Sequence, residues 1–373
     1  MQNLIKSIKR NKHLILSVLI VILGFFLFFP TKVITIDEHD YLNNAHLLIN
    51  GDLKTDCNLN IPGQWPTNLG YCISKYNIGT SIFLIPAVLI DTNLVILTSL
   101  VIFSFSILVF YKLIIFYKLD KKLIYIFALF PPFIFFSRTL LSEIYSMSIL
   151  LFIYYSLLNL KSFKYRILSP ILIITSLYIR YTNIIPVGIL AIYFLIYYLR
   201  QESFKDLIKK YWIIPIILGL GAITLFIFNH NYYGFFLRSG YYFSAEEGNI
   251  VPLQFPVVFF KYFLLVNIFY PFGLIFLFKS RIKHTKLFAV LFITLLLFYS
   301  IVKNESFPSK LSDIILGLRF LIPVYPFLIL PYAGLINNFK NERVYKYLMY
   351  TIIILLICSS LLVNLLHYNF INK

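Results

Sequence analysis

Acidic residues and cysteines are scarce in this sequence, and their scarcity excludes whole classes of site. Only 15 of the 373 residues are Asp or Glu, and only three are Cys. No group of Cys and His has the spacing of metal ligands, which excludes a thiolate metal framework. Walker, dinucleotide-binding and Ser-His-Asp patterns are also missing from the sequence. The chain therefore carries none of these common catalytic signatures.

Apolar residues dominate the composition. Hydrophobic residues make up 60% of the chain, aromatic residues 19% and charged residues 13%. These values lie outside the range of soluble domains and indicate a polytopic membrane protein. The formal net charge is +18, but the basic residues form short clusters between apolar runs, as in cytoplasmic loops. We therefore expect contact with membrane lipid and no nucleic-acid partner.

Eleven apolar runs are candidates for membrane spans. They cover residues 13–30, 94–117, 123–141, 143–160, 167–180, 184–199, 211–228, 257–278, 287–302, 318–336 and 347–366. A further run, 78–90, is too short, because a helix of that length covers about 20 Å of a hydrocarbon core about 30 Å thick. We predict an all-α polytopic membrane protein in which residues 1–373 form one transmembrane domain with about eleven transmembrane helices.

The basic clusters predict the orientation of these spans. With the N-terminus in the cytoplasm and 78–90 not crossing, five basic loops all lie inside. They contain Lys118, Lys121 and Lys122; Lys161, Lys164 and Arg166; Arg200, Lys205, Lys209 and Lys210; Lys279, Arg281, Lys283 and Lys286; and Lys340, Arg343 and Lys346. We therefore assign 78–90 to a juxtamembrane or re-entrant helix within a long outer loop, 31–93. We expect a multi-pass protein of the cytoplasmic membrane, with an uncleaved first span and an external C-terminus.

An acidic pair opens this outer loop. Asp37 and Glu38 directly follow the first apolar run, and a carboxylate at a membrane edge is a functional candidate because it loses hydration there. Apolar residues at helical spacing, ended by Asn50-Gly51, predict a surface helix over 38–50 with Asp37 at or near its N-cap. In the alternative interpretation Asp37 only caps this helix. Asp37 and Glu38 are therefore the first candidates for a functional site.

Arg180 lies at a second predicted outer turn. The apolar arms on either side of it are short, roughly 21 to 24 Å, so the turn should lie below the outer surface. Polar backbone at that depth is tolerated inside protein or beside a watery cavity, which makes Arg180 and the adjacent Tyr181 candidates for substrate binding. The alternative is an arginine that snorkels to the interface.

Three further arginines lie on the predicted outer side of the membrane. Arg138 and Glu143 are close in sequence and are candidates for substrate binding, although they are equally able to pair with each other. Arg238 lies in the second long outer loop, 229–256, among rings that suit either an interfacial belt or stacking on a sugar or prenyl chain. These rings are Tyr232, Tyr233, Phe235, Phe236, Tyr241 and Tyr242. Arg319 precedes two prolines that kink its span. We expect loops 31–93 and 229–256 to form the site.

Cys57 and Cys72 both fall in the first outer loop. That loop faces an oxidising compartment if the predicted orientation holds. We therefore predict a disulfide between them, closing a loop of about fifteen residues.

Several short tracts together resemble the GT-C superfamily of membrane glycosyltransferases. The acidic pair Asp37-Glu38 with Tyr41 and Ala45 is similar to the start of the family's first outer loop. The tract from Lys75 and Tyr76 to Ser81 resembles the family segment that begins a juxtamembrane helix, with Asn77-Ile78 where proline is common. Ser142-Glu143, Arg180-Tyr181 and Gly317-Leu318-Arg319-Phe320 with Pro323 also resemble family motifs.

The resemblance implies an inverting sugar transfer. GT-C enzymes pass a sugar from a polyprenyl- or dolichyl-phosphate carrier to an acceptor on the outer face, so the partners are a lipid-linked sugar and a glycan, lipid or protein acceptor. In this chain Asp37 would be the catalytic base that accepts the acceptor's proton, and Glu38 would orient the acceptor. Arg180 and Arg319 would stabilise the departing phosphate. Lys75 and Tyr76 join the expected substrate-binding set. Some relatives use a divalent cation; the carboxylates here are able to bind one, but nothing in their spacing demands it.

Two other function classes share some of these features. A lipid-linked glycan transporter, or a polysaccharide polymerase, would also have many spans, outer arginines and kinks. A transporter should carry charges near the bilayer midplane, whereas here they cluster at the outer ends. A scaffold has no reason to hold arginines opposite a carboxylate pair.

Overall fold

The structure is a computed structural model that describes residues 11–30, 32–33, 35–59, 64–240, 255–269, 277–280, 282–302, 317–338 and 341–371. Two of the rings predicted to line the second outer loop, Tyr241 and Tyr242, lie outside these residues. The chain divides into two compact units, each of which is described by itself.

The first unit comprises Met1–Lys32, Ser99–Arg138 and Ile250–Lys373. Its helices are α1 (Lys12–Leu27), α4 (Val95–Phe116, from Ser99 onward), α5 (Ile124–Ala128), α6 (Pro131–Phe136), α12 (Phe255–Phe269), α13 (Thr285–Val302), α14 (Pro326–Asn337) and α15 (Glu342–Ile371). A 3₁₀ segment, Arg319–Val324, precedes α14. Two side-chain hydrogen bonds link segments of this unit that are far apart in the sequence. Ser360 Oγ donates to the Leu129 carbonyl, and Tyr345 Oη donates to Asp120 Oδ2, each at 2.8 Å.

The second unit comprises Val33–Thr98 and Thr139–Asn249. Its helices are α2 (Ile36–Ile49), α3 (Gly79–Val88), α7 (Ser142–Leu158), α8 (Phe163–Ile179), α9 (Ile184–Leu199), α10 (Phe204–Tyr211) and α11 (Ile213–Tyr233). Between α2 and α3 lies a small antiparallel hairpin of β1 (Gln64–Pro66) and β2 (Cys72–Ser74), in which Trp65 pairs with Ile73. The predicted all-α class is therefore right except for this hairpin.

Glycines set the close helix contacts of the second unit. A Cβ at Gly79 would lie 2.4 Å from the backbone of Tyr178, so the start of α3 packs directly on the end of α8. A Cβ at Gly221 would lie 2.0 Å from the Ile174 side chain, so α11 packs closely on the middle of α8. Close approach at small residues is the usual way in which helices associate within lipid.

Four helices among the described residues are long and apolar enough to cross a membrane. They are Thr92–Phe116, Tyr181–Leu199, Ile213–Tyr233 and Glu342–Leu365. Several other predicted spans are shorter apolar helices, so a membrane-type helical fold is present while the count of eleven spans stays a prediction. The run 78–90 forms the ten-residue α3, as its shortness predicted.

The predicted span 123–141 is wrong as a single helix. It forms α5 and α6, which are separated where Phe130 adopts an extended backbone before Pro131 and Pro132. A residue before proline is pushed out of the helical region, which explains the break. Every residue from 123 to 148 is buried, so this segment belongs to the protein interior.

Candidate active site

Helix α2 begins in a capping box. Thr35 Oγ1 accepts a hydrogen bond from the Glu38 backbone N–H at 3.2 Å, and Glu38 Oε2 accepts one from the Thr35 backbone N–H at 2.9 Å. The helix therefore begins at Ile36 with Thr35 as its N-cap, which corrects the predicted start at Glu38 and the predicted cap at Asp37. The pattern Thr-x-x-Glu in the sequence was the available signal for this start. Asn50 ends the helix, as predicted.

The two acids of the predicted catalytic pair have different environments. Glu38 is 2% exposed, and its second oxygen, Oε1, accepts from the Leu140 backbone N–H at 2.8 Å. Both of its carboxylate oxygens are thus occupied by the protein. Asp37 is only half-buried and lies in the first turn of α2, where the positive end of the helix dipole favours a carboxylate. Of the pair, Asp37 is the acid that remains accessible.

A third acid, Asp40, lies one helical turn beyond Asp37. Residues three apart in a helix share a face. Asp40 is fully buried, and its Oδ2 accepts a hydrogen bond from Ser74 Oγ at 2.8 Å. Burial raises the pKa of the Asp40 carboxyl well above its ordinary value; the Asp37 charge raises it further, while the Ser74 hydrogen bond and Lys75 lower it. Sequence reasoning gave Asp40 no role, although its spacing from Asp37 was visible.

Lys75 lies beside this acidic face within an aromatic cage. Its Nζ is 5.6 Å from the ring centre of Trp65 and 5.1 Å from that of Tyr76. The ring of Tyr76 packs in turn on Tyr41 of α2, with 5.1 Å between ring centres. Lys75 and Tyr76 were predicted to bind substrate, and the structure brings them next to the helix that carries Asp37.

A disulfide and a hydrogen bond anchor the hairpin that supports Lys75. The structure joins Cys57 to Cys72 in a disulfide, with 5.0 Å between their Cα atoms. Tyr71 Oη donates to the Tyr232 carbonyl at 2.8 Å, and Lys54 Nζ lies over both tyrosine rings. The hairpin is thereby attached to the end of α11.

The loop after α11 also touches the Lys75 segment. A Cβ at Gly240 would lie 2.2 Å from the Ser74 carbonyl oxygen and 2.5 Å from Lys75 Cα. Arg238, two residues earlier, is half-buried, with its guanidinium over the Phe235 ring. The described parts of loops 31–93 and 229–256 therefore meet beside Lys75.

Glu143 pairs with Arg180. Arg180 Nη1 donates to Glu143 Oε1 at 3.1 Å, which differs from the considered pairing of Glu143 with Arg138. The predicted turn at Arg180 is present: α8 ends at Ile179 and a short 3₁₀ segment, Tyr181–Asn183, leads into α9. Tyr181 Oη donates to Asn229 Oδ1 at 2.6 Å and so fixes this turn to α11.

Arg138 and Arg319 belong to the first unit. Arg138 is 2% exposed; its Nη1 donates to the Phe25 carbonyl at 3.3 Å, and its guanidinium lies over the Phe25 ring. Its Nε and Nη2 have no hydrogen-bond partner among the described residues. Arg319 is half-buried at the start of its 3₁₀ segment, with its guanidinium 4.6 Å from the Phe320 ring centre. Their predicted binding of substrate stays a prediction.

Metal ligands are not gathered in the part of the chain that the structure describes. No group of three or more His, Cys, Asp or Glu residues has the geometry to hold a metal ion there.

Comparison with known proteins identifies the fold. No family model and no curated protein sequence matches the chain. Among solved structures, the crystal structure of ArnT from Cupriavidus metallidurans bound to undecaprenyl phosphate matches 97% of this chain and 76% of its own, with a TM-score of 0.58 and 12% identity. The chain has a GT-C-like fold. At this identity the similarity establishes the architecture, and the chemistry must be argued from the site.

Proposed function

We propose that this protein is an integral-membrane glycosyltransferase of the GT-C type. It would move a sugar from a polyprenyl- or dolichyl-phosphate carrier to a glycan, lipid or protein acceptor on the outer face of the cytoplasmic membrane. The observation that carries the proposal is the acidic face of α2: Asp37 is half-buried there, and the charges of both Asp37 and Lys75 act on Asp40, one turn further along the helix. The ArnT structure, which holds a polyprenyl phosphate, supports it through the shared fold.

Asp37 acts as the general base in this proposal. It would take the proton of the acceptor hydroxyl as the oxygen attacks the anomeric carbon from the face opposite the leaving phosphate, which inverts the configuration there. The buried carboxylate of Glu38 holds the first turn of α2 and the Leu140 backbone, and so positions Asp37. This assignment gives the two acids separate tasks.

Cations stabilise the departing phosphate. The charge of Lys75 acts on Asp40 of the acidic face, and Arg238 is two residues before Gly240, which packs on the Lys75 backbone. One guanidinium nitrogen of Arg180 donates to Glu143, and the Arg180 side chain is 14% exposed. A guanidinium offers several donors, so Arg180 is able to bind a phosphate oxygen while it keeps its bond to Glu143.

Turnover of a polyprenyl-phosphate sugar by purified variants tests the proposal. Asp37→Asn is nearly isosteric and should lower turnover by a factor of about 10² to 10⁴, as expected for loss of a general base. Its thermal unfolding should stay close to that of the wild type, because Asp37 is not the cap. Glu38→Gln is the matched control and should lower stability more than Asp37→Asn does.

Two results would contradict the proposal. If Asp37→Asn keeps near-normal turnover while a folded Glu38→Gln loses it, Asp37 is not the base. If both variants keep turnover, sugar transfer at this acidic pair is wrong.

A further inference from the structure

Helix α10 is a short polar helix between two long apolar ones. It spans Phe204–Tyr211 and is flanked by the candidate membrane helices Tyr181–Leu199 and Ile213–Tyr233. An eight-residue helix covers only about 12 Å, and its charges keep it out of hydrocarbon. It therefore lies at the membrane surface, where both long helices end. Arg180 lies at the other end of the first of these helices, about 28 Å away by helical rise.

One stripe of α10 is apolar and exposed. Phe204 is 68% exposed, and Ile208 and Trp212 are each 56% exposed. Their four-residue spacing places them on one side of the helix, whereas Leu207 is buried against the protein. Large apolar side chains on a helix at the membrane surface suit the boundary between lipid headgroups and acyl chains, as in other interfacial helices.

Two lysines follow the same spacing beside this stripe. Lys205 and Lys209 are exposed, and neither forms an ion pair within the described ranges. The neighbouring acids are already engaged: Glu202 pairs with Lys210, and Asp206 Oδ2 accepts from Ser203 Oγ at 2.6 Å. We call Phe204, Lys205, Ile208, Lys209 and Trp212 the α10 surface.

Arg166 fixes the position of α10 on the protein. Its three guanidinium nitrogens donate to three carbonyls: Nε to Leu160 at 3.0 Å, Nη2 to Lys161 at 2.8 Å and Nη1 to Lys210 at 3.1 Å. Its guanidinium also lies over the Tyr211 ring. These bonds hold α10 to the start of α8, which carries the exposed Lys164, and to the loop before it, which carries the exposed Lys161. Positive charge therefore lies beside the apolar stripe, on the exposed Lys161, Lys164, Lys205 and Lys209.

We propose that the α10 surface binds acidic phospholipids. The apolar stripe would enter the acyl region while Lys205 and Lys209 hold the negatively charged headgroup. Lysine stems are long enough to reach headgroups from a helix whose other side is in lipid. A soluble acidic ligand would satisfy the lysines but leave the stripe in water, so a lipid explains both features. This inference does not depend on the proposed sugar transfer.

The test is lipid binding by the full-length protein in detergent. Thermal unfolding is followed while either dioleoylphosphatidylglycerol or dioleoylphosphatidylcholine is titrated. The wild type should be stabilised at lower concentrations of the anionic lipid. Lys205→Gln/Lys209→Gln should bind that lipid roughly 25-fold more weakly, because each of the two lysines near an anionic surface is worth a factor of about five. Its response to the zwitterionic lipid should not change.

Two controls separate this surface from general charge attraction. Lys121→Gln/Lys122→Gln removes the same charge from a loop of the first unit and should bind the anionic lipid like the wild type. Arg166→Gln keeps both lysines but removes the hydrogen bonds that fix α10 to the protein. It should weaken binding of the anionic lipid, but by less than Lys205→Gln/Lys209→Gln does.

Three outcomes would overturn the inference. In the first, the two lipids stabilise the wild type equally. In the second, Lys121→Gln/Lys122→Gln weakens binding of the anionic lipid as much as Lys205→Gln/Lys209→Gln does. In the third, glycerol 3-phosphate displaces the anionic lipid when the two are present at the same concentration.

Discussion

Glu143 in the first turn of α7 and Arg180 at the end of α8 form a buried ion pair, with 3.1 Å between Oε1 and Nη1. The two side chains are 4% and 14% exposed. An ion pair at this depth stabilises the fold only while both partners are present, because a lone buried charge has lost its hydration. Arg180, a candidate for substrate binding, therefore also contributes to the packing of α7 and α8.

Removing one partner should cost more than removing both charges. We expect Arg180→Gln to lower the free energy of unfolding by about 3 kcal/mol, since it leaves Glu143 uncompensated. The double variant Glu143→Gln/Arg180→Gln should lose clearly less than the sum of its two single variants. Thermal unfolding of the four proteins in one detergent measures the coupling. Strictly additive losses would show that the pair has no energetic role.

The capping box makes a second prediction. Thr35→Ala should cost about 1 kcal/mol, as for other N-caps, while Thr35→Ser should cost little. Glu38→Ala should cost more than Thr35→Ala, because it leaves the Thr35 and Leu140 N–H groups without an acceptor at about 1 to 3 kcal/mol each. Unfolding in denaturant ranks the variants. If Glu38→Ala is the milder change, the buried carboxylate does not hold the turn.

The disulfide should stabilise the hairpin beside the site. Cys57 and Cys72 are 15 residues apart, and a loop of that size gives about 3 kcal/mol by chain entropy. We expect Cys57→Ser/Cys72→Ser to unfold at a lower temperature and to bind a polyprenyl phosphate more weakly, because the Lys75 cage follows β2 directly. Cys358→Ser changes the exposed free cysteine and serves as the control. Equal unfolding temperatures for the two variants would contradict this role.

Local signals in the sequence predicted much of the site region. Helix α2 was predicted to within two residues because apolar spacing and the Asn50-Gly51 ending are local features. The Arg180 turn was also predicted, because short apolar arms leave the chain no other place to reverse. Such features depend on residues close together in the chain.

Two of the missed features depend on residues that are distant in the sequence. The choice of Arg180 as the partner of Glu143 is made across 37 positions of sequence, and no local pattern encodes it. The hydrogen-bond donor to buried Asp40 is Ser74, which is 34 positions away. The break inside 123–141 was misread because hydropathy outweighed Pro131-Pro132, the one local signal against a single helix.

The buried carboxyl of Asp40 should make stability depend on pH. Its raised pKa, caused first by burial, means that the folded protein keeps this proton more tightly than the unfolded chain. Such a group contributes its stability fully at low pH, and the contribution is lost as the pH rises from about 4 through the higher folded pKa. Asp40→Asn cannot ionise and should lack this loss. Its unfolding temperature should therefore rise relative to the wild type as the pH is raised.

A second substitution shifts this pH dependence in a known direction. Ser74 donates to Asp40 Oδ2 and lowers its pKa, so Ser74→Ala should move the loss of stability to higher pH. Thermal unfolding of the wild type, Asp40→Asn and Ser74→Ala between pH 5 and 9 measures both effects. A difference between the wild type and Asp40→Asn that stays constant over this range would mean that Asp40 is already ionised in the folded protein at pH 5, as it is in the unfolded chain, and would contradict the raised pKa. A shift toward lower pH in Ser74→Ala would mean that the Ser74 hydrogen bond does not favour the ionised carboxylate.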